Sequence, residues 1–207
     1  MSSPPNPFVV IAGNIGVGKS TLVQRLAERW GWQAAHEPNA ENPYLADFYA
    51  DMRTWGFHSQ VFFLAKRLEQ HNGICGGEWA VLQDRSVYED AEIFARNLYL
   101  HGHMSERDWH TYYALYQTMA QIMRPPSLVV YLRASIDTLS RRVAQRNRAY
   151  EQTIPREYLA QINTLYDEWA ERFTLAPLIT IESDQLNWSN IGDDFDHVAR
   201  RIQQVLQ

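Results

Sequence analysis

Residues Gly13-Asn-Ile-Gly-Val-Gly-Lys-Ser-Thr21 follow an apolar run, Phe8 to Ala12, and precede a segment of helical periodicity. Glycine, four residues, then Gly18-Lys19-Ser20 is the spacing of a phosphate-binding loop. Such a loop needs glycines because backbone amides must turn inward around phosphate oxygens, and the helix that follows presents its positive N-terminal end to the same anion. Here Gly13, Asn14, Ile15, Gly16, Val17 and Gly18 would wrap the phosphates and Lys19 would add a point charge. Ser20 would place its hydroxyl on Mg²⁺, and Thr21 would open the helix. A chance glycine-rich turn is the competing account, and the flanking strand and helix disfavour it. The loop implies a nucleoside triphosphate but leaves the acceptor open, because ATPases, GTPases, transport motors and small-molecule kinases all use it.

Two other places could do chemistry. Glu37 follows a short apolar run, Gln33 to His36. In parallel α/β sheets ligands bind beyond the carboxyl ends of the strands, so this carboxylate would share a crevice with the loop and could take the proton of an attacking hydroxyl. Standing alone, Glu37 is better read as a capping or solvated residue. Arg141, Arg142, Arg146 and Arg148 crowd one segment, and Arg142 and Arg146, four apart, share a helix face. A mobile arginine lid of this kind neutralises charge that builds on a transferred phosphoryl group and excludes water. A basic solvated face is the alternative for an isolated cluster.

The elements that would position these groups are five buried strands: Phe8 to Ala12, Gln33 to His36, Trp79 to Gln83, Leu128 to Leu132 and Leu178 to Ile181. Longer helical segments separate them, chiefly Phe57 to His71, Asp108 to Met123 and Arg156 to Phe173, which predicts an α/β fold with a parallel sheet. Ser105 and Ser135 read as helix caps, Pro155 suits a first turn, and Asp193 to Asp196 a charged helix start before Val198 to Leu206. Trp55, Trp109 and Trp169 read as core or dimer contacts rather than ligand stackers. At 207 residues one domain is expected.

A net charge of −5 with interspersed signs argues against a general nucleic-acid binder. The lone Cys75 excludes a disulfide framework and reads as a packing residue, the histidines lack metal spacing, and no segment is long and apolar enough to cross a bilayer. The N-terminal residues lack the pattern of a leader, so a cytoplasmic location is expected.

The combined motifs resemble the deoxynucleoside kinase family, particularly its bacterial deoxyadenosine, deoxycytidine and deoxyguanosine kinases. The likeness runs through the phosphate loop, Asn42-Pro43-Tyr44-Leu45, Phe48-Tyr49, Trp55-Gly-Phe-His-Ser-Gln60 and Phe63-Leu-Ala-Lys-Arg67. It continues through Gln83-Asp84-Arg85-Ser86-Val87-Tyr88-Glu89-Asp90 and Arg142-Val-Ala-Gln-Arg146-Asn-Arg148 to Glu151. The resemblance implies that Glu37 takes the proton from the acceptor's 5′-hydroxyl, that Arg85 stabilises both Glu37 and the phosphoryl charge, and that Asp84 holds Mg²⁺ through water. It assigns Tyr49 and Glu151 to the 3′-hydroxyl, with the Tyr49 ring crowding a 2′-hydroxyl. Gln60, Arg67, Asp90 and Phe94 would meet the base. Without the resemblance, Gln60 and Arg67 are solvated polar positions, Phe94 is core, and Asp84-Arg85 competes with a surface ion pair. Arg142, Arg146 and Arg148 become donor-binding residues in a lid of about residues 142–154, and residues 182–187 a loop that meets the donor's adenine mainly through its backbone.

The expectation is thus a single-domain, three-layer P-loop kinase with a five-stranded parallel sheet, flanking helices and an arginine-rich lid. It would use ATP with Mg²⁺ on a deoxyribonucleoside, deoxyadenosine first, with deoxyguanosine or deoxycytidine as alternatives. A homodimer is implied by the resemblance. A nucleoside monophosphate kinase shares the loop and fold but needs further basic residues for its acceptor phosphate, and a non-catalytic subunit would not need Lys19, Glu37, Arg85 and the lid arginines together.

Overall fold

A computed structural model describes residues 6–148, 151, 154–188 and 192–206, with the side chains of 40, 75 and 76 outside it. The strands are β1 (Phe8–Gly13), β2 (Gln33–Ala35), β3 (Val81–Asp84), β4 (Leu128–Arg133) and β5 (Leu178–Glu182). The helices are α1 (Lys19–Trp30), α2 (Leu45–Ala50), α3 (Met52–Gly76), α4 (Val87–Glu89), α5 (Arg96–Leu100), α6 (Glu106–Ile122), α7 (Ile136–Arg146), α8 (Arg156–Arg172) and α9 (Asp193–Leu206). A π-helical turn, Asp90–Ala95, joins α4 to α5.

The five strands pair in parallel in the order β2-β3-β1-β4-β5. Every residue of β1 is buried, as expected where helices cover both faces of a parallel sheet and the strand reads as a continuous apolar run. From β1 the chain goes outward to β2, returns to β3 beside β1, then passes to β4 on the other side. That reversal opens a crevice beyond the carboxyl ends of β1 and β3, where Gly13, Asp84 and Arg85 stand. The carboxyl end of β2 brings Glu37 to the same rim.

Element boundaries moved where side chains, not apolar runs, decide them. Trp79 is 61% exposed and the third strand begins only at Val81. Helix α3 starts at Met52 because the Asp51 carboxylate accepts from the amides of Arg53 and Thr54, which makes one long helix carrying both Gln60 and Arg67. Helix α1 opens at Lys19, before Thr21, since left-handed Gly18 forms its N-cap. Helix α9 already starts at Asp193, so its aspartates lie in the first turn, where the helix dipole favours them. Ser105 and Ser135 cap α6 and α7 through the amides of Asp108 and Thr138. Trp169 is buried, whereas Trp55 and Trp109 are partly exposed against the core. The Cys75 side chain, the N-terminal residues 1–5 and lid residues 149–150 and 152–153 lie outside the described residues. No described helix is long and apolar enough to cross a membrane.

Candidate active site

The phosphate loop leaves β1 at Gly13 and enters α1 at Lys19. Gly18 has φ +105°, and a Cβ there would lie 2.8 Å from the Trp188 indole nitrogen, so both backbone and space demand glycine. Trp188 donates its N–H to the Gly18 carbonyl at 3.0 Å. Asn14 fixes the loop's shape from within: its Oδ1 accepts from the Ile15 amide at 2.7 Å, and its Nδ2 donates to the Leu159 carbonyl at 2.9 Å and to Asn163. Lys19 Nζ donates to the carbonyls of Gly13 and Asn14 at 2.8 and 3.1 Å.

Burial, with repulsion from Arg85, lowers the Lys19 ammonium to a pKa of about 8, against the opposing pull of Asp84, Glu37 and Glu89. Lys19 is thus charged below pH 8 and increasingly neutral above it. Phosphate oxygens favour the charged form, so nucleotide binding at pH 8.5 should take up a proton, and far less at pH 7. Calorimetry in buffers of different ionisation enthalpy measures that uptake; none at pH 8.5 would disprove the neutral fraction.

Glu37 stands across the cleft. Its Oε1 accepts from Arg85 Nη1 at 2.6 Å and lies 3.5 Å from Arg67 Nη2, while Oε2 accepts from Asn39 at 2.7 Å. Burial pushes this carboxyl up, but Arg85, Arg67 and Lys19 outweigh burial and hold it at about 2. Arg85 adopts a left-handed backbone, φ 63°, and lays its guanidinium over the Phe94 ring at 4.1 Å. Asp84 and Arg85 are both buried and face different partners, so they are not a surface ion pair.

Ser20 donates to Asp84 Oδ2 at 2.5 Å, and the other oxygen, Oδ1, is buried without a hydrogen-bond partner among the described residues. A hydroxyl and a spare carboxylate oxygen beside the loop suit Mg²⁺, which takes few protein ligands and fills its octahedron with water and phosphate oxygens.

The remaining acceptor residues divide into two sets. Tyr49 and Glu151 line the same cleft as the phosphate loop, Glu37 and Arg85, a space of about 570 Å³. Burial raises the Tyr49 phenol well above its ordinary pKa, so it remains a hydrogen-bond donor at neutral pH. Gln60, Arg67, Asp90 and Phe94 are buried behind that wall. Arg67 Nε donates to Asp90 Oδ2 at 2.9 Å, and Gln60 Oε1 is buried without a hydrogen-bond partner among the described residues, as an amide held for a polar ligand would be. Asp90 and Phe94, four apart, both lie in the π-helical turn, where Asp90 pairs with Arg67 and Phe94 lies under the Arg85 guanidinium.

The lid arginines do different things. Arg142 donates to the carbonyls of Val17, Ser183 and Leu186 at 3.0, 2.8 and 3.0 Å, tying the phosphate loop to the segment after β5. Arg146 forms two hydrogen bonds to Glu151, at 2.9 and 2.5 Å, and Arg148 lies 3.5 Å from the same carboxylate.

Sequence reasoning passed over Trp188 and two further residues. Glu89 is buried and accepts hydrogen bonds from the Gly13 amide and the Tyr166 hydroxyl. Ser86-x-x-Glu89 is a capping box, the sequence signal that marks Glu89. No comparable pattern marks Trp188 or Tyr166.

A family model for deoxynucleoside kinases matches residues 9–207. A deoxyadenosine/deoxycytidine kinase of Bacillus subtilis is 34% identical over 98% of this chain and 94% of its own. A deoxyadenosine kinase of Lactobacillus acidophilus is 32% identical, with 96% of each chain covered. A structure of deoxyadenosine kinase from M. mycoides with bound dATP superposes with a TM-score of 0.84 at 25% identity, covering 96% of this chain and 100% of that one.

Proposed function

The chain belongs to the deoxynucleoside kinase family, and on that premise we propose that it transfers the γ-phosphate of ATP to the 5′-hydroxyl of deoxyadenosine. The observation that carries this reading is Glu37, an ionised carboxylate on the wall of the cleft that also holds the phosphate loop. The donor lies with its phosphates in the loop amides and on Lys19, and its adenine meets the segment after β5, which Arg142 braces. The acceptor's 3′-hydroxyl bonds to Tyr49 and Glu151, and its base lies against Phe94 with its polar edge toward Gln60, Arg67 and Asp90. Glu37 accepts a hydrogen bond from the 5′-hydroxyl and orients the oxygen lone pair at the γ-phosphorus. As the P–O bond to ADP breaks and the new P–O bond forms, the hydroxyl proton passes to Glu37. Arg85, Lys19 and the lid arginines stabilise the charge spread over the phosphoryl oxygens. Ser20 and Asp84 would hold Mg²⁺, which would supply positive charge against the phosphate oxygens of the donor.

A purine acceptor is favoured by the likeness of the Trp55–Gln60 and Asp84–Asp90 segments to bacterial deoxyadenosine kinases. Deoxycytidine is the second reading, because the Bacillus subtilis relative carries both nucleosides in its name. We further propose a homodimer, with the exposed Leu100 of α5 and Leu115 and Ile122 of α6 as candidate apolar contacts; a monomer in sedimentation at micromolar concentration would count against it. The lone cysteine suits a cytoplasmic setting.

Turnover of the four natural deoxynucleosides, with adenosine and dAMP as controls, tests the reading. Deoxyadenosine should give the highest kcat/KM, well above adenosine because the Tyr49 ring crowds a 2′-hydroxyl. Activity on dAMP alone would make the chain a monophosphate kinase, and equal use of adenosine would remove Tyr49 as the sugar filter.

A further inference from the structure

We propose that Glu89 is a positioning residue that sets the donor loop in register with the acceptor site. Its carboxylate is wholly buried and spans two machines. On one side Oε1 accepts from the Gly13 amide at 3.2 Å, where β1 turns into the phosphate loop, and from the Tyr166 hydroxyl of α8 at 2.9 Å. On the other side Oε2 accepts from the Ser86 amide at 2.8 Å and the Ser86 hydroxyl at 3.1 Å, immediately after Arg85. The next residue, Asp90, holds Arg67 in the base site.

The backbone shows why a side chain is needed here. Strands β1 and β3 pair as far as Ile11 and Asp84, and the Arg85 amide still donates to the Ile11 carbonyl. At Arg85 the chain turns into a left-handed conformation, which aims the guanidinium at Glu37 and takes the backbone out of the ladder. The Gly13 amide, two residues beyond Ile11, therefore finds its acceptor in Glu89. One carboxylate thus continues the sheet past its end and couples the first residue of the phosphate loop to the segment carrying Arg85 and Asp90. A carboxylate suits this task because all four partners are donors and it is acceptor-only. An amide cannot replace it. Whichever way a glutamine faced, its NH₂ would oppose one of the two backbone N–H groups and cut the tie.

This inference rests on the kinase reading, so wild-type turnover of a deoxynucleoside is the control, and silence there would overturn the reading itself. In Glu89→Gln, misalignment of donor and acceptor by a fraction of an ångström should lower kcat about 10- to 100-fold. Deoxynucleoside binding alone and ADP binding alone, each measured by calorimetry, should stay within about threefold of wild type, because each half-site keeps its own contacts. A folded variant with kcat within about threefold of wild type would overturn the proposal. So would loss of both binding affinities in proportion to kcat, the mark of a purely structural carboxylate. If Glu89→Gln does not fold, Tyr166→Phe decides: it removes one lateral anchor of Oε1, should cut kcat about 3- to 10-fold at unchanged affinities, and refutes the idea if kcat is unchanged.

Discussion

Glu37→Gln is expected to lower kcat by about 10²- to 10⁴-fold while leaving the fold and deoxynucleoside affinity near wild type. Glutamine keeps the size of the side chain and can still bond Asn39, but it supplies no charge to Arg85 and no acceptor for a proton. The low pKa of about 2 constrains the timing of that proton. A carboxylate this acidic is a poor base toward a ground-state hydroxyl. It becomes an adequate one late in the reaction, when the oxygen is already bonding to phosphorus in a loose transition state and its proton has become acidic. Glu37 is fully ionised from pH 4 upward, so the kcat profile should show no acidic limb from it near neutrality. The sign for stability follows the same shift: pairing of Glu37 stabilises the fold at pH above about 4.5, and that contribution is lost as the pH falls toward 2. Near-full turnover by a folded Glu37→Gln would end the proton-transfer role.

Arg85→Lys should cost about 10²- to 10³-fold in kcat/KM despite conserving charge. Arg85 performs two tasks at fixed geometry, a short hydrogen bond to Glu37 and a cation–π contact 4.1 Å over the Phe94 ring. An ammonium is a compact point charge that cannot cover the ring and bond the carboxylate from one position. Its left-handed backbone, unusual for a residue with a Cβ, shows that the surrounding structure holds this side chain to one direction. Steady-state kinetics on the preferred deoxynucleoside measures the loss; a change below threefold would mean that charge alone suffices.

Much of the site was legible because its chemistry is local. The phosphate loop is one contiguous segment, and Glu37 and Asp84-Arg85 end short apolar runs that could only be strands, so position in a parallel sheet placed them at one rim. The sheet itself was readable where its strands are buried apolar runs, as in β1, β3 and β4; the edge strands β2 and β5, expected to be buried, are largely half-buried or exposed because each has a neighbour on one side only. What escaped was non-local. Asp51 extends α3 by capping it, and Trp79 is exposed although its residue type suggests a strand. Gln60 and Arg67 look like solvated helix positions until α3 is packed beside the π turn. Asp90 and Phe94 share a helix face by their spacing of four, but only the family likeness gave that face a ligand. Glu89 was overlooked because its partners, Gly13 and Tyr166, are 76 and 77 residues away.

The pairing of three of the site's arginines with carboxylates has a consequence for how nucleotides arrive. Arg85 faces Glu37, Arg67 faces Asp90, and Arg146 faces Glu151, all within the chain. The protein as a whole carries a net charge of −5. Beyond a Debye length of about 8–10 Å an approaching ATP therefore meets a weakly repulsive body, whereas the cleft itself is lined by Lys19, Arg85, Arg141, Arg142, Arg146 and Arg148 against only Glu37, Glu151 and Asp184. The long-range repulsion and the local attraction oppose each other, and added salt, which screens both, should leave the association rate constant nearly level. The attraction acts only after arrival, at contact range, where those carboxylates must share their partners with phosphate and sugar.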